Sequence, residues 1–187
     1  MTERLTLIIP CAGEDCAYLD AHLPPSPYRV LIIRNRPYGE AIKLGLTLAT
    51  TPYVATMDAD GQHELQDIPP LYRAFLARRA AMVIGQRTRR DPGLRALSSS
   101  LLNLAASILA GRHVPDLGSG IRVFRRRIAL DYYTRLPDGF DFNTALTMAF
   151  LRGGHRVDWV QTHVRPRQVG QSHVTLADGV KALRSLR

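Results

Sequence analysis

The residues with the clearest chemical potential lie together in Met57–His63, MDADGQH. Asp58 and Asp60 stand one residue apart at the end of an apolar run, and on an extended strand such residues share a face. Two carboxylates on a rigid strand end suit a hard divalent cation such as Mg²⁺ or Mn²⁺, which prefers carboxylate and phosphate oxygens. Gln62 adds a neutral oxygen two residues on. Taken alone, a solvated turn explains most such pairs; the strand before it and the helix after it make a metal site an equal alternative.

Charge is the second chemical feature. The net is +9, and Lys43 and Lys181 are the only lysines, so arginine carries almost all of it. An arginine fork grips phosphate bidentately and stays charged at any working pH. Nucleic acid, an anionic membrane surface and a phosphorylated small substrate all fit such a surface, and ordinary solvated arginines explain many single positions. With 45% hydrophobic and 22% charged residues the 187-residue chain has the composition of one soluble globular domain, which excludes wholesale disorder. No apolar run approaches the roughly 18 residues of a spanning helix, and the run before Pro10 is too short for the apolar core of a signal peptide. Cys11 and Cys16 are too few for a disulfide framework, so a reducing cytosolic compartment is the simplest expectation.

These residues need elements to hold them. Leu5–Pro10, Arg29–Ile33, Pro52–Met57 and Ala81–Gly85 read as strands. Gly39–Thr50 and Gln66–Arg79 read as helices, the latter opened near Pro69 and Pro70. This alternation predicts crossover units and a mostly parallel sheet, with ligands beyond the carboxyl ends of its strands, where Asp58 and Asp60 fall. The second half predicts a long helix over Leu94–Ala110, a loop over His113–Gly120, a short strand over Ile121–Phe124 and helices over Arg125–Leu136 and Phe140–Leu151. A strand over Arg156–Val164 and a final helix over Leu176–Leu186 complete it. Leu94–Ala110 is too short to span a bilayer but apolar enough to lie at its surface, flanked by Arg89, Arg90, Arg95 and Arg112; a buried helix is the equal alternative.

Several segments, in order, carry a family resemblance: LTLIIPCAGED, RNRPYGEAIKLGLTLAT, YVATMDADGQHELQDIPPL, VIGQR, VPDLGSGIRVFRRR, GFDFNTALTMAFLRGGHRV and VRPRQVGQSHVTLADGVKAL. Together they resemble the family 2 glycosyltransferases of the GT-A (nucleotide-diphospho-sugar transferase) fold, above all the polyprenyl-phosphate sugar transferases. The resemblance implies a single-domain α/β fold over residues 1–187, with a mostly parallel central sheet flanked by helices. The family's strand ending in Asp-Asp-Gly-Ser has no counterpart here, so one βα unit is expected to be missing. The donor side would then rest on Pro10, Glu14, Arg34 and Asp58. The position before Glu14 is Gly13 where the family has Asn, and the closing Ser-Lys is Ser172-His173.

The resemblance further implies a metal-dependent, inverting transfer of a sugar from a nucleotide-diphospho-sugar to a polyprenyl phosphate. Mg²⁺ or Mn²⁺ would be held by Asp58, Asp60 and Gln62, and would stabilise the departing diphosphate. An acceptor phosphate is already anionic at pH 7, so arginines that position it matter more than a strong base. Arg87, Ser119, Arg122, Arg165, Arg167 and Ser172 are the acceptor-side candidates. Asp60 and Asp116 are the catalytic candidates, Asp116 as a base or as an orienting group, with a turn aspartate as its competing explanation. His63 and His173 read as local hydrogen-bonding residues, Trp159, Tyr132 and Tyr133 as packing, and Arg125–Arg127 as a rim. The expected location is the cytoplasm, at the inner face of the membrane, with peripheral membrane contact. No nucleic-acid partner is expected, because no helix-turn-helix, zinc-finger or aromatic RNA-binding signature accompanies the charge. Two rivals stay open. One is a sugar-hydroxyl acceptor, which would make Asp116 or Asp141 an obligatory base; the other is an inactive shortened remnant serving as a binding partner.

Overall fold

A computed structural model describes residues 4–88 and 94–169, with side chains omitted for 94–98. Arg89, Arg90, Ser172, His173 and the expected Leu176–Leu186 helix lie outside the described residues, as does the side chain of Arg95. The sheet is built from β1 (Leu5–Cys11), β2 (Arg29–Arg34), β3 (Tyr53–Thr56), β4 (Met82–Arg87), β5 (Arg122–Arg125) and β6 (Val157–Thr162). The helices are α1 (Glu14–His22), α2 (Tyr38–Leu48), α3 (Ile68–Ala77), α4 (Leu94–Ala110), α5 (Arg126–Asp131) and α6 (Phe142–Arg152). Spatial order is β2-β1-β3-β5-β4-β6, and only β5 runs against its neighbours. The mostly parallel α/β sheet expected from the sequence is therefore present.

β1 is buried along its whole length, which is why it reads as an unbroken apolar run rather than an alternation. Leu5, Leu7, Ile9 and Cys11 join the layer of α1 and α3, whereas Ile8 joins the layer of α2 and α6. α2 lies so close to β1 that a Cβ at Gly45 would stand 2.6 Å from Ile8 Cγ2. α3 begins after a single 3-10 turn, Leu65–Asp67, in which Glu64 and Asp67 cap each other's backbone, and its prolines fall in the first turn, where no amide partner is needed.

Three elements depart from expectation. α1 was not foreseen: only Cys16 and Leu19 of its nine residues are buried, so no apolar stripe marks it in the sequence. With α1 in place, β1-α1-β2 is a complete crossover, and the Arg34–Asn35 segment follows directly from the edge strand β2. Arg125–Leu136 is not one helix. The Arg125 amide still bonds Ala81 in the sheet, and α5 stops at Asp131 before a 3-10 turn over Tyr133–Arg135. Cys11 and Cys16 join the end of β1 to the first turn of α1 as a disulfide, with Cα atoms 5.2 Å apart.

α4 is not an ordinary buried helix over its described side chains. Ala106 is buried, but Leu101, Leu104, Ile108 and Leu109 are exposed, Ile108 to 72%. Two of the interspersed polar residues face the 113–120 loop: Asn103 Nδ2 donates to Pro115 O at 2.9 Å, its Oδ1 accepts from Leu117 N at 3.0 Å, and Ser107 Oγ accepts from Val114 N at 2.9 Å. The helix is thus tied to the 113–120 loop by its polar residues and shows apolar ones outward. No helix among the described residues is long and apolar enough to cross a membrane. The close α2–β1 approach carries a testable consequence. Gly45→Ala should destabilise the protein by about 1–3 kcal/mol by overpacking, read as a lower urea midpoint, although alanine alone favours a helix.

Candidate active site

The geometry of the site follows from where β3 ends. The strand stops at Thr56, so Asp58 and Asp60 sit in the loop beyond it, and strand alternation does not govern their directions. β5 is antiparallel to β3 and pairs Arg122 with Thr56, which brings the residues just before β5 to the carboxyl end of β3. Thr56 Oγ1 donates to Gly120 O at 2.9 Å. A Cβ at Gly120 would collide with the carboxyl group of Asp58, so this position must be glycine for Asp58 to lie as it does. Asp58 Oδ1 accepts from Tyr38 OH at 2.8 Å, and Tyr38 OH accepts from Asn143 Nδ2 at 2.8 Å. Tyr38 and Asn143 open α2 and α6; neither was a sequence candidate, and only the Gly39 segment hinted that α2 begins near a site. Burial and the Asp58 charge hold the Tyr38 hydroxyl well above the usual phenol range.

Asp60 is buried and differently partnered. Its Oδ1 accepts from Gln62 N at 2.9 Å, and its Oδ2 lies 2.8 Å from Arg167 Nη1. Arg167 Nη2 donates to Gln62 Oε1 at 3.2 Å, so one guanidinium spans two of the three oxygen groups expected to hold a metal. Burial, and then the Asp58 charge, push the Asp60 pKa up to about 6 against the opposing Gln62 amide and Arg167. Two backbone bonds flank this contact, Arg165 N to Gln62 O at 3.1 Å and Gln168 N to Asp60 O at 3.0 Å. The segment 165–168 is a strap across the loop. Gly61, with φ of 77° and no room for a Cβ between Gln168 and Tyr18, is the residue over which it passes. Arg165 bridges Glu64 at 2.9 Å and Asp67 at 3.1 Å. His63 is buried, with Nδ1 3.6 Å from Asp67 Oδ2, a local contact. Burial raises the Asp67 carboxyl, but the nearby His63 ring, the hydrogen bond from the Glu64 amide and Arg165 leave it below the ordinary value.

A divalent cation fits this donor set in chemistry. Asp60 Oδ2 and Gln62 Oε1 already converge on one cation, and Asp58 is close enough to raise the Asp60 pKa. Among the described residues no cluster of three His, Cys, Asp or Glu side chains could hold a metal, so phosphate and water oxygens would complete the coordination, as Mg²⁺ commonly requires.

The other expected site residues are placed as follows. Asp116 is buried and receives Arg87 through Nε at 2.8 Å and Nη2 at 2.9 Å, and Trp159 Nε1 donates to its carbonyl at 2.8 Å. Its carboxylate is held by an arginine fork, an arrangement that fixes the direction of Arg87. Arg122 is fully buried, donating to Ser119 O, to Asn143 O at 3.0 Å and to Thr147 Oγ1 at 3.1 Å. Burial lowers its pKa to about 10. Its expected contact with an acceptor gives way to a supporting role: it joins the 119–120 loop to α6 beneath Asp58. Ser119 and Asp141 are buried too, and Ser119 Oγ and Asp141 Oδ2 have no hydrogen-bond partner. On the donor side Pro10 is buried in β1, Glu14 is exposed at the start of α1, and the Arg34 fork is held by Asp20 at 2.6 and 3.2 Å. A cavity of about 380 Å³ opens instead between α1 and the loop, lined by Tyr18, Leu19 and His22 on one side and Asp58, Gly61 and Glu64 on the other. It escaped the sequence reading because α1 did.

The Glycosyl transferase family 2 model matches residues 16–133, which include Asp58, Asp60, Asp116 and Arg122. The chain belongs to that family. The undecaprenyl-phosphate 4-deoxy-4-formamido-L-arabinose transferase of Proteus mirabilis (strain HI4320) is 35% identical over 127 residues, covering 66% of this chain and 38% of the relative. The enzyme of the same name from Erwinia tasmaniensis is 32% identical over 156 residues, covering 81% of this chain and 46% of the relative. The family 2 chain thus spans less than half the length of these curated relatives. Glucosyl-3-phosphoglycerate synthase from Mycobacterium tuberculosis, solved with Mn²⁺, UDP and glucosyl-3-phosphoglycerate, superposes with a TM-score of 0.73 at 16% identity, covering 98% of this chain and 78% of that one. The same enzyme with Mg²⁺ and UDP gives 0.72. The GT-A fold is therefore present.

Two outcomes follow from the burial pattern. Arg122→Lys should lower stability by about 2–3 kcal/mol in urea unfolding, because a point charge cannot serve three dispersed acceptors. Asp60 keeps its proton up to about pH 6 in the folded chain, whereas an unfolded Asp loses it near pH 4. Its contribution is therefore full below about pH 4 and lost as pH rises through about 6. Asp60→Asn should accordingly melt higher than wild type at pH 7.5, with the gap shrinking by pH 4.5 in scanning calorimetry.

Proposed function

We propose that this chain is the catalytic domain of a metal-dependent, inverting glycosyltransferase that moves one sugar from a nucleotide-diphospho-sugar to a polyprenyl phosphate. One observation supports the metal reading most: Asp60 and Gln62 turn their oxygens to a single cation beside Asp58, at the carboxyl end of β3. A divalent ion held there supplies charge neutralisation for a departing diphosphate. The neighbouring 380 Å³ cavity is of a size to receive the nucleoside end of such a donor.

The state of the aspartates supports a phosphate acceptor. A hydroxyl acceptor needs a base, and Asp116 is committed to Arg87. A phosphate monoester carries its nucleophilic oxygen already ionised at neutral pH. That oxygen attacks the anomeric carbon, the bond to the diphosphate breaks, and the configuration inverts without a protein group taking a proton. The lipid acceptor agrees with the names of the family relatives and with the exposed Leu101, Leu104 and Ile108 of α4. Such a face, on a chain of net charge +9, suits peripheral contact with an anionic membrane.

The test is transfer of radiolabelled sugar from a panel of nucleotide-diphospho-sugars into organic-extractable lipid, with undecaprenyl phosphate and free sugars as alternative acceptors. Transfer to the lipid phosphate is expected, abolished by EDTA and restored by Mn²⁺, with Asp60→Ala reduced about 100-fold or more. Transfer only to free sugars would move the assignment to a hydroxyl acceptor and to Asp141 as its base. Absence of transfer from every donor would end the enzymatic reading.

A further inference from the structure

All four arginines expected to meet an acceptor phosphate have their forks on protein oxygens: Arg87 on Asp116, Arg122 on loop and helix carbonyls, Arg165 on Glu64 and Asp67, and Arg167 on Asp60 and Gln62. Arg167 differs from the others in what it covers. Its partners are the oxygens expected to ligate a divalent ion, and its side chain is about a third exposed at 32%. Two backbone bonds of the strap, at 3.1 and 3.0 Å, and the Arg165 ion pairs with Glu64 and Asp67 hold it in line with the loop.

We propose that Arg167 is a tethered counter-ion which a divalent cation displaces, so that loading the metal opens the 165–168 strap and hands the freed guanidinium to a phosphate-bearing substrate. This rests on the metal reading of Asp58, Asp60 and Gln62. The physical ground is that two cations cannot share the same two oxygens: a divalent ion on Asp60 Oδ2 and Gln62 Oε1 occupies the place of the fork and repels it. The converse also holds. Until metal arrives, Arg167 neutralises the Asp58–Asp60 pair and keeps the loop in a shape ready to ligate. Releasing the fork costs the Gln168–Asp60 backbone bond and the Arg167 ion pair, while the Arg165 bridges to Glu64 and Asp67 keep the start of the strap on the loop, and the released fork needs no new element to reach solvent. Metal loading and phosphate capture thereby become coupled steps of one segment.

The experiment measures Mn²⁺ binding by the electron paramagnetic resonance signal of free Mn²⁺, with and without UDP, for wild type, Arg167→Gln, Arg167→Lys and Asp60→Asn. Melting temperatures confirm that each variant is folded. Arg167→Gln is expected to bind Mn²⁺ about tenfold tighter than wild type, with Arg167→Lys between them and Asp60→Asn weakest. Tryptic cleavage after Arg167, followed by mass spectrometry, should be slow in metal-free wild type and faster with Mn²⁺, with no acceleration in Asp60→Asn. Equal or weaker Mn²⁺ binding by Arg167→Gln overturns the displacement while leaving the metal site standing. No Mn²⁺ bound by any of the proteins overturns both, and Arg167 is then the permanent cation of the site. Tighter binding with unchanged cleavage overturns the opening of the strap.

Discussion

Two carboxylates held in one buried loop repel each other, and the rest of the site is organised around that fact. Asp58 and Asp60 cannot both be ionised beside each other without compensation, and this repulsion adds to burial, the larger cause, in raising the Asp60 pKa. Compensation comes from separate elements. The Tyr38 hydroxyl at the start of α2 serves Asp58, while the Gln62 amide and the Arg167 fork serve Asp60. Each is weak alone, and none removes the need for a cation. A loop of this kind has an affinity for positive charge whichever cation supplies it.

The reversal of β5 makes the arrangement possible. In a wholly parallel sheet, the residues at the carboxyl ends of strands meet only loops that follow other strands. Because β5 runs backwards, the residues that precede it, including Ser119 and Gly120, reach the carboxyl end of β3 beside Asp58. Arg122 then fastens that loop to α6 from below. Burying a guanidinium is costly unless its donors are satisfied. Most of this one is met by carbonyls of Ser119 and Asn143 and by Thr147, which explains why an arginine can sit at full burial in a small core. The same anchoring continues outward through Asn103 and Ser107 to α4, so the exposed apolar face and the Asp116 loop belong to one rigid piece.

Most of this scaffold was legible in the sequence. The runs that became β1, β2, β3 and β4 are apolar and bounded by turn residues, and α2, α4 and α6 lie close to their expected ranges, because burial on these elements leaves a direct mark on residue type. α1 left no such mark, since two buried residues in nine make no stripe. With α1 went the cavity and the pairing of Cys11 with Cys16. The metal loop was legible as residue types and position, but not as geometry: an argument from strand alternation fails once β3 ends at Thr56. Tyr38 and Asn143 were illegible for a different reason. Their role exists only through contacts spanning 20 and 105 residues, which no local pattern encodes.

The arginines carry the general lesson about reading charge. A surplus of forks in a sequence suggests phosphate, yet here each candidate fork already grips the protein, and two of the carboxylate-bearing partners, Asp60 and Asp116, are themselves buried. Pairing with a buried carboxylate fixes a guanidinium in direction, which lowers the entropy lost when a ligand later meets its exposed edge or replaces its partner. Arg87 keeps both nitrogens of one edge on Asp116 while remaining partly exposed, so a ligand can meet it without breaking the pair. Arg122 has no such exposure and acts only through the loop it holds. Arg167 is about as exposed as Arg87 but is paired with the group most in need of a cation. Burial therefore sets Arg122 apart as the arginine that shapes the site, and the partner divides the other two: Asp116 gives Arg87 a fixed edge, whereas the fork on the metal loop can be exchanged.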